Sequence, residues 1–518
     1  MRALTLLGGC GLPVLLLGVG LCYLFALRAF PILHPIRTLK LAFRGRMRSS
    51  LRALSVALGG TLGVGNITGV ALALAMGGAG AVFWMWISAA VAMFLKYGEI
   101  VLALISRKRG ADGTWEGGAM YYLKKGRAFG RWAATLFALL CLLCALTLGA
   151  PVQSNAAAVA AHEVLGIPPY VTGALLLFLT AIAVLGGIRR IADFTERVVP
   201  IVSVLYLLLS LYAVFANLSA LGGVFFRIFR EAFSFSAGAS GVGGFFASRA
   251  LRYGVTRGLL SNEAGAGTAP MAHAVAENTP ASQGVMGFLE VAVDTFVFCT
   301  ATALPLLIAY DGAFPALSGV GLVTGAFSAL VGHFAPPLLS VSLFLFAYAT
   351  VLAWFYYGKR AIGYLTENPM AQKGYVFVYV VAVGCGAILR EGVLWELTDG
   401  VISLLTMLHT ACLLPLLPTV VCVSRAEGFL GNGIHLGRDG ERQCVQGGAK
   451  VLRDGRKNGD GGAVRGMRKT KPCGVEHGAR KAVTLPAIQA VAREGMTDRR
   501  KMQADLVGAP RFRKDGDE

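Results

Sequence analysis

Charge is scarce in this sequence, and so are the residue patterns of enzyme sites. Only 15% of its 518 residues are Asp, Glu, Lys or Arg, whereas 55% are hydrophobic. A soluble protein of this length needs more charge to cover its surface, so the composition excludes an ordinary soluble domain. The ten cysteines form no disulfide framework, because eight lie in apolar runs where cysteine acts as a small hydrophobic residue. No nucleophile–base set, phosphate-binding loop or metal motif is recognisable, which argues against a membrane enzyme or a primary pump.

Long apolar runs are what the sequence has in abundance. Runs of about 20 residues match the length that crosses a hydrocarbon core about 30 Å thick. We therefore expect an all-α polytopic membrane protein with about eleven transmembrane helices. The predicted spans are roughly 5–29, 53–76, 80–106, 133–160, 169–187, 198–221, 238–261, 284–310, 337–358, 374–389 and 395–423.

The positive charges predict how the chain lies in the membrane. The connection from Arg28 to Arg52 carries seven Lys or Arg residues, whereas residues 311–336 carry none. We expect a multi-pass protein of the cell (plasma or inner) membrane, in which cytoplasmic loops are enriched in Lys and Arg. The same rule predicts an N-terminus outside the cell and a C-terminus in the cytoplasm.

A basic tail follows the last apolar run. Residues 425–518 hold 20 Lys or Arg against 12 Asp or Glu, with few large apolar side chains and no sustained periodicity. We therefore expect a transmembrane domain at 1–424 and a mostly disordered cytoplasmic tail at 425–518. The basic loops and tail explain the net charge of +20 without nucleic acid as a partner. Membrane lipid is an expected partner, and the oligomeric state stays open.

Helix-breaking residues interrupt the second apolar run. Residues 60–78 read GTLGVGNITGVALALAMGG, with glycines and Asn66 where a spanning helix favours leucine. Glycine costs about 1 kcal/mol in a helix interior, and backbone groups freed in lipid need a partner from protein or a water-lined cavity. Two explanations remain open at this point. The glycines could allow close helix packing, or the helix could be interrupted so that its backbone faces a ligand.

A second interruption favours the ligand explanation. Residues 257–270 read RGLLSNEAGAGTAP, again with polar residues and glycines closing an apolar run. The two interruptions begin two series of five spans, predicted as repeat one at about 53–221 and repeat two at about 238–423. The helix at 5–29 is then an addition outside the repeats. Paired interruptions indicate an inverted-repeat transporter, and the two kinds of half-helix end suit the carboxylate and ammonium groups of a small zwitterion.

Other polar residues in apolar runs extend the candidate site. Gln153 could face a ligand, as could Thr350 and Trp354, which share one helix face at i, i+4 spacing. Spacing alone slightly favours Trp354 as an interfacial belt residue.

Ionisable residues in apolar runs are usually paired or functional. We expect Lys96 to pair with Glu99, and Glu263 to cap backbone N–H groups at the second interruption. Asp294 is expected to hydrogen-bond a neighbouring threonine or another helix, and His273 to be solvated near a loop.

The sequence resembles the alanine/glycine:cation symporters, which are sodium-coupled carriers of small neutral amino acids. The resemblance covers about residues 10–420 and rests on GVGNITGVALALAMGGAGAVFWMW, GGAMYYL, GGIRRIADFTERVVP, GVTRGLLSNEAGAGTAPMAHA, DTFVFCTATAL and LAWFYYGKR. It implies a LeuT-type fold and import of alanine or glycine with Na⁺ by alternating access, without a cofactor besides the transported ion. Coupling to H⁺, an uncoupled channel and an amino-acid-binding sensor remain alternatives.

The resemblance also implies a set of site residues. The implied substrate site consists of Gly65, Asn66, Gln153, Leu260, Ser261, Asn262, Thr350 and Trp354. The implied sodium ligands are carbonyl groups near Gly63 and Val64 together with the hydroxyl group of Thr350. Two departures affect the ion: the family usually has threonine at the positions of Val64 and Ala349. Because hard cations prefer oxygen ligands, these changes put the identity and number of coupled ions in question.

Overall fold

A computed structural model describes residues 11–43, 47–110, 113–126, 129–234 and 248–430, without the side chains of residues 188 and 189. Within these ranges the regular secondary structure is helical, apart from one antiparallel ribbon of β1 (Lys108–Arg109) and β2 (Trp115–Glu116). The predicted tail lies outside the described residues from residue 431 onward. So do residues 5–10 of the first predicted span and residues 238–247 of the seventh.

The first half of the chain folds into a series of helices and short π-helical segments. They are α1 (Leu12–Ala26), α2 (Phe30–Leu33), α3 (Pro35–Ala42), α4 (Met47–Thr61), a π-helical turn (Gly65–Gly69), α5 (Val70–Gly77), α6 (Gly80–Ser106), α7 (Ala119–Leu123), α8 (Gly130–Cys144), a π-helical segment (Ala145–Val152), α9 (Gln153–Leu165), α10 (Pro169–Leu185), α11 (Gly187–Phe215) and α12 (Leu218–Ala232).

The second half follows a similar order. Its helices are α13 (Arg249–Asn262), α14 (Ala269–His273), α15 (Pro280–Val291), a π-helical segment (Ala292–Cys299), α16 (Thr300–Tyr310), α17 (Gly319–Val331), α18 (Ala335–Leu365), α19 (Pro369–Gly386), α20 (Glu391–Leu413), a 3₁₀ turn (Leu414–Leu416) and α21 (Leu417–Ala426).

Six helical stretches of the described chain are long and apolar enough to cross a membrane. They are Gly80–Ser106, Gly130–Leu165, Arg190–Phe215, Pro280–Tyr310, Ala335–Leu365 and Glu391–Ala426. Helix α4 and the stretch Gly65–Gly77 together make a seventh candidate, which bends by 53° at its break. Helices α1, α10 and α17 are apolar but shorter. The all-α, multi-pass class predicted from the sequence is confirmed, while the repeat bounds stay a prediction.

Helices α6 and α18 lie at the centre of the described chain. Helix α6 packs against α13 and α15, and α18 packs against α4, α8, α9 and α11. The outer helices instead expose large apolar side chains, among them Phe178 on α10, Leu208 on α11 and Phe377 on α19. In a membrane such side chains face lipid at no cost, because lipid tails are as apolar as leucine. The buried helices α6 and α18 therefore form the core, and the interrupted helices pack against them.

Two connections differ from the sequence prediction. Residues 311–336, expected as a loop, contain α17, whose N-terminus is capped by the Ser318 hydroxyl group accepting the Gly321 N–H at 2.9 Å. The span predicted at 198–221 begins earlier, at Gly187, and ends at Phe215, so that α12 is a separate helix. At 13 residues α17 is too short to be recognised as a span. Its glycines further weaken the helical pattern.

Close approach of α13 to α6 depends on Gly254. A Cβ atom at this position would lie 2.4 Å from the carbonyl oxygen of Ala81. Because that neighbour is backbone, the helices must move apart, and we expect Gly254→Ala to lower the free energy of unfolding by about 1–3 kcal/mol. The apparent Tm in detergent measures the loss. Gly363 in α18 has no atom within 4 Å of the same position. Gly363→Ala is therefore the matched control, and equal losses for both variants would contradict this prediction.

Candidate functional site between two interrupted helices

The first interruption lies between α4 and the turn at Gly65. The side chain of Asn66 spans it: its Oδ1 accepts the backbone N–H of Gly63 at 3.1 Å. The N–H of Val64 points to Oε1 of Gln153 at 3.4 Å. Both explanations of the glycines have structural counterparts here. A Cβ at Gly59 would contact Thr195 at 3.1 Å, as expected for close packing, while the freed backbone groups farther on are bound by amide side chains.

The second interruption lies between α13 and α14. Glu263, Gly265 and Gly267 have φ angles of +52°, +82° and +75°, in the left-handed region that favours glycine. The N–H of Gly265 donates to Oε1 of Glu99 at 2.5 Å. Its carbonyl oxygen accepts from Nδ1 of His409 at 2.7 Å. Glu99 and His409 therefore bind the backbone N–H and carbonyl groups of Gly265. The expectation that Glu263 caps N–H groups of the break was wrong for Gly265, whose N–H is bound by Glu99, a carboxylate from α6.

A small cavity lies between the two interruptions. Its described lining consists of Gly60, Thr61, Gly63, Gly65, Leu148, Gln153, Leu260, Glu263, Thr350, Trp354 and Trp395. The cavity volume is about 10 Å³, which is room for about one water molecule. Five of the eight predicted substrate-site residues line this cavity: Gly65, Gln153, Leu260, Thr350 and Trp354.

Trp354 is a cavity wall rather than a belt residue. Its side chain is fully buried, and its Nε1 donates to Oε1 of Glu263 at 3.1 Å. The interfacial position that spacing slightly favoured is therefore wrong. A period of four residues identifies a helix face but cannot tell whether that face meets lipid headgroups or the protein interior. Gly149 explains how the ring fits, since a Cβ there would lie 2.3 Å from Cβ of Trp354.

The other three predicted substrate-site residues, Asn66, Ser261 and Asn262, form hydrogen bonds with Asp294 or Thr295 beside the cavity. Nδ2 of Asn66 donates to Oδ1 of Asp294 at 2.7 Å, and the hydroxyl group of Ser261 donates to Oδ2 of the same carboxylate at 2.7 Å. Nδ2 of Asn262 donates to the hydroxyl oxygen of Thr295 at 3.1 Å. The expectation for Asp294 was therefore correct in kind: it bonds other helices as well as its neighbour Thr295. One carboxylate thus joins both interrupted helices.

The residues predicted to hold a cation are brought close together. A Cβ at Gly63 would lie 2.5 Å from the hydroxyl oxygen of Thr350. That hydroxyl group donates to the carbonyl oxygens of Gly59 at 3.0 Å and Phe346 at 3.1 Å. Its lone pairs therefore stay available to a cation. Val64, where the resemblance implies a threonine hydroxyl group, is an apolar and fully buried residue next to Gly63.

A buried ion cluster lies beside the site and differs from the prediction. Nζ of Lys96 lies 3.3 Å from Oε1 of Glu290, and Oε2 of Glu290 lies 3.0 Å from Nε2 of His273. All three side chains are fully buried. Lys96 therefore pairs with Glu290 instead of Glu99, and His273 is buried rather than solvated. Acidic residues within apolar runs indicated that a buried ion pair exists. Sequence spacing, however, favoured Glu99, the carboxylate nearer in sequence, as the partner of Lys96.

These features define a class of protein: a multi-pass helical membrane protein with a small polar cavity between two interrupted helices, as in secondary transporters. The chain belongs to the sodium:alanine symporter family, whose family model matches residues 3–426. It is therefore an amino-acid/cation symporter of the membrane, not an enzyme.

Relatives match most of the chain. The sodium/alanine symporter AgcS of Methanococcus maripaludis is 36% identical over 428 residues, covering 80% of this chain and 93% of that protein. The amino-acid carrier protein AlsT of Bacillus subtilis is 34% identical over 370 residues, covering 70% and 78%. A Bacillus subtilis protein described as a probable sodium/glutamine symporter, GlnT, is 34% identical over 409 residues, covering 77% and 84%.

Proposed function

We propose that this protein imports small neutral amino acids, alanine or glycine, together with Na⁺ by alternating access. The observation that carries the proposal is the cavity between the two interruptions, where backbone groups, Gln153, Thr350 and Trp354 surround a narrow space. The cavity has room for about one water molecule in this structure, so it must widen to admit an amino acid, and a small substrate requires the least widening. The name of AgcS, a sodium/alanine symporter, supports the same substrate and ion.

The proposed roles follow from the positions of the groups. Gly65, Asn66, Leu260, Ser261 and Asn262 form the two interrupted-helix walls of the substrate site. Gln153, Thr350 and Trp354 form its other walls. The carbonyl groups of Gly63 and Val64 with the Thr350 hydroxyl group hold Na⁺, as oxygen ligands suit a hard cation.

One coupled ion is sufficient to concentrate the substrate. A charge crossing about 100 mV contributes about 2.3 kcal/mol, and a tenfold Na⁺ gradient adds about 1.4 kcal/mol. Together they support a substrate gradient of several hundred-fold. Covalent chemistry is not needed.

The proposed topology places the N-terminus outside and the C-terminus in the cytoplasm, with α1 preceding two repeats of five spans. The basic connections, such as the one ending at Arg52, carry this proposal. Reporter fusions after α1 and after α21 test it, because both positions are cytoplasmic in this topology. Both fusions should be active only with a cytoplasmic reporter.

Uptake of radiolabelled alanine into proteoliposomes tests the proposed function. Na⁺ and H⁺ gradients are imposed separately, with protein-free liposomes as the control. We expect saturable uptake driven by the Na⁺ gradient. Uptake driven only by the H⁺ gradient would change the ion but keep the class, while flux that does not saturate would favour a channel. Uptake driven by neither gradient would contradict symport.

A hydroxyl group restored beside Thr350 should strengthen Na⁺ binding. Ala349 is fully buried in α18, and we expect Ala349→Thr to raise the apparent Na⁺ affinity of alanine uptake by several-fold because one more hard ligand becomes available. Ala347 is equally buried and lies two residues earlier, on another side of the helix. Ala347→Thr is therefore the matched control. An unchanged Na⁺ affinity in Ala349→Thr would mean that the cation is bound elsewhere.

A further inference from the structure

Glu263 is the acidic member of the cavity lining. It follows α13 directly and has a φ angle of +52°, which side chains other than glycine rarely adopt. Its side chain is directed toward Trp354, whose Nε1 donates to Oε1 at 3.1 Å, and toward Thr268, whose hydroxyl group donates to Oε2 at 2.6 Å. A backbone position suited to glycine thus carries a carboxylate, and strain of this kind clusters at functional sites.

The carboxylate of Glu263 has neutral partners and lies deep in the protein. The residue is 3% exposed. Among the described residues, no basic side chain forms an ion pair with it. Lys96, the buried ammonium group of this region, is bound to Glu290. Lys96 attracts Glu263 only from a distance, and an ionised carboxylate is costly to bury without a directly paired counter-charge. The site therefore favours a cationic group brought in by a ligand.

We propose that Glu263 binds the ammonium group of the transported amino acid. This inference rests on the proposed function, since it assumes an α-amino acid in this cavity. The described cavity lining contains Glu263 but no Lys or Arg. The ammonium end of a zwitterion therefore meets the carboxylate, and its carboxylate end turns to neutral donors such as the amide of Gln153. Hydrogen bonds to charged groups are stronger than neutral ones.

This arrangement makes Glu263 a specificity residue. A zwitterion supplies the missing counter-charge, whereas a carboxylic acid without an amino group places a second negative charge beside Glu263. Like charges brought together in a buried site strongly disfavour binding. The protein should therefore accept alanine and reject propionate, which has the same carbon chain without the ammonium group.

Equilibrium binding of alanine and propionate to the full chain in lipid nanodiscs tests the proposal. The wild type should prefer alanine by roughly 100-fold or more. Glu263→Gln keeps an oxygen that can accept from Trp354 and removes the charge. We expect its alanine affinity to fall roughly 10- to 100-fold and most of its preference over propionate to be lost. Glu116→Gln makes the same change on the ribbon strand β2, outside the cavity lining, and should keep the preference.

The outcomes separate the two claims. A wild type that binds no small neutral amino acid contradicts the proposed function and this inference together. A wild type that binds alanine, with Glu263→Gln still preferring alanine over propionate as strongly, overturns the inference alone. If Glu263→Gln does not fold, Glu263→Asp decides, because it keeps the charge but withdraws it by one methylene group. Its alanine affinity should fall while propionate stays rejected, and an unchanged alanine affinity overturns the proposal.

Discussion

Asn66→Ala is expected to abolish alanine uptake while the protein still inserts into the membrane. The side chain of Asn66 accepts the N–H of Gly63 at 3.1 Å and donates to Asp294 at 2.7 Å. Alanine can do neither, so the first interruption loses its internal support and a buried carboxylate loses a donor. Leaving such groups unpaired costs about 1–3 kcal/mol each. The measurement is Na⁺-driven uptake in proteoliposomes, normalised to the protein incorporated, and we expect at least a roughly 100-fold loss.

Asn155→Ala is the matched control for this prediction. Asn155 is also buried, and its Nδ2 donates to the carbonyl oxygens of Gly386 at 3.1 Å and Leu389 at 2.7 Å, away from the cavity. Its replacement should lower the apparent Tm while uptake remains measurable. Normal uptake in Asn66→Ala, or an equal loss of uptake in both variants, would remove Asn66 from the site.

Much of the candidate site could be predicted because its residues violate a local rule. Glycine and asparagine within an apolar run are unfavourable in a spanning helix, so the breaks at Gly65 and Gly265 are visible in the sequence. Gln153 and Thr350 were visible for the same reason, as polar side chains in apolar runs. The depth of Trp354 was not, since tryptophan suits both a membrane interface and a protein core.

The pairing of charges could not be predicted because it depends on contacts between distant segments. Lys96 lies three residues from Glu99, which made that pair the natural expectation. In the folded chain Glu99 instead accepts the N–H of Gly265, and Lys96 lies against Glu290. Sequence spacing gives neighbours along one helix, whereas the position of α15 beside α6 is a result of tertiary packing.

The carboxylates also show a reciprocal arrangement. Glu99 on α6 binds the second interruption at Gly265, and Asp294, in the segment after α15, binds the first interruption through Asn66. In each predicted series of five spans, the second span therefore holds the break of the other series. The Lys96–Glu290 pair joins these two holding helices directly. The two interruptions are thus connected through buried polar contacts, so that a conformational change at one can alter the conformation of the other.

Lys96→Met is expected to destabilise the protein strongly. It leaves the buried carboxylate of Glu290 with His273 as its remaining described polar partner, at 3.0 Å. Removing one member of a buried ion pair typically costs about 3–5 kcal/mol, because the other charge remains buried without compensation. The apparent Tm in detergent and the yield of monodisperse protein measure the loss. Lys108→Met removes an exposed ion pair with Glu116 and should cost about 0–1 kcal/mol.

The double variant Lys96→Met/Glu290→Gln tests the cause of that loss. Glutamine at position 290 carries no charge and can still accept from His273, so the uncompensated carboxylate is gone. Replacing a whole buried pair is often far less costly than breaking it, and we expect the double variant to recover a large part of the lost Tm. A double variant as unstable as Lys96→Met alone would show that the lysine side chain is needed for its packing. In that case α6 and α15 would be joined by shape and not by charge.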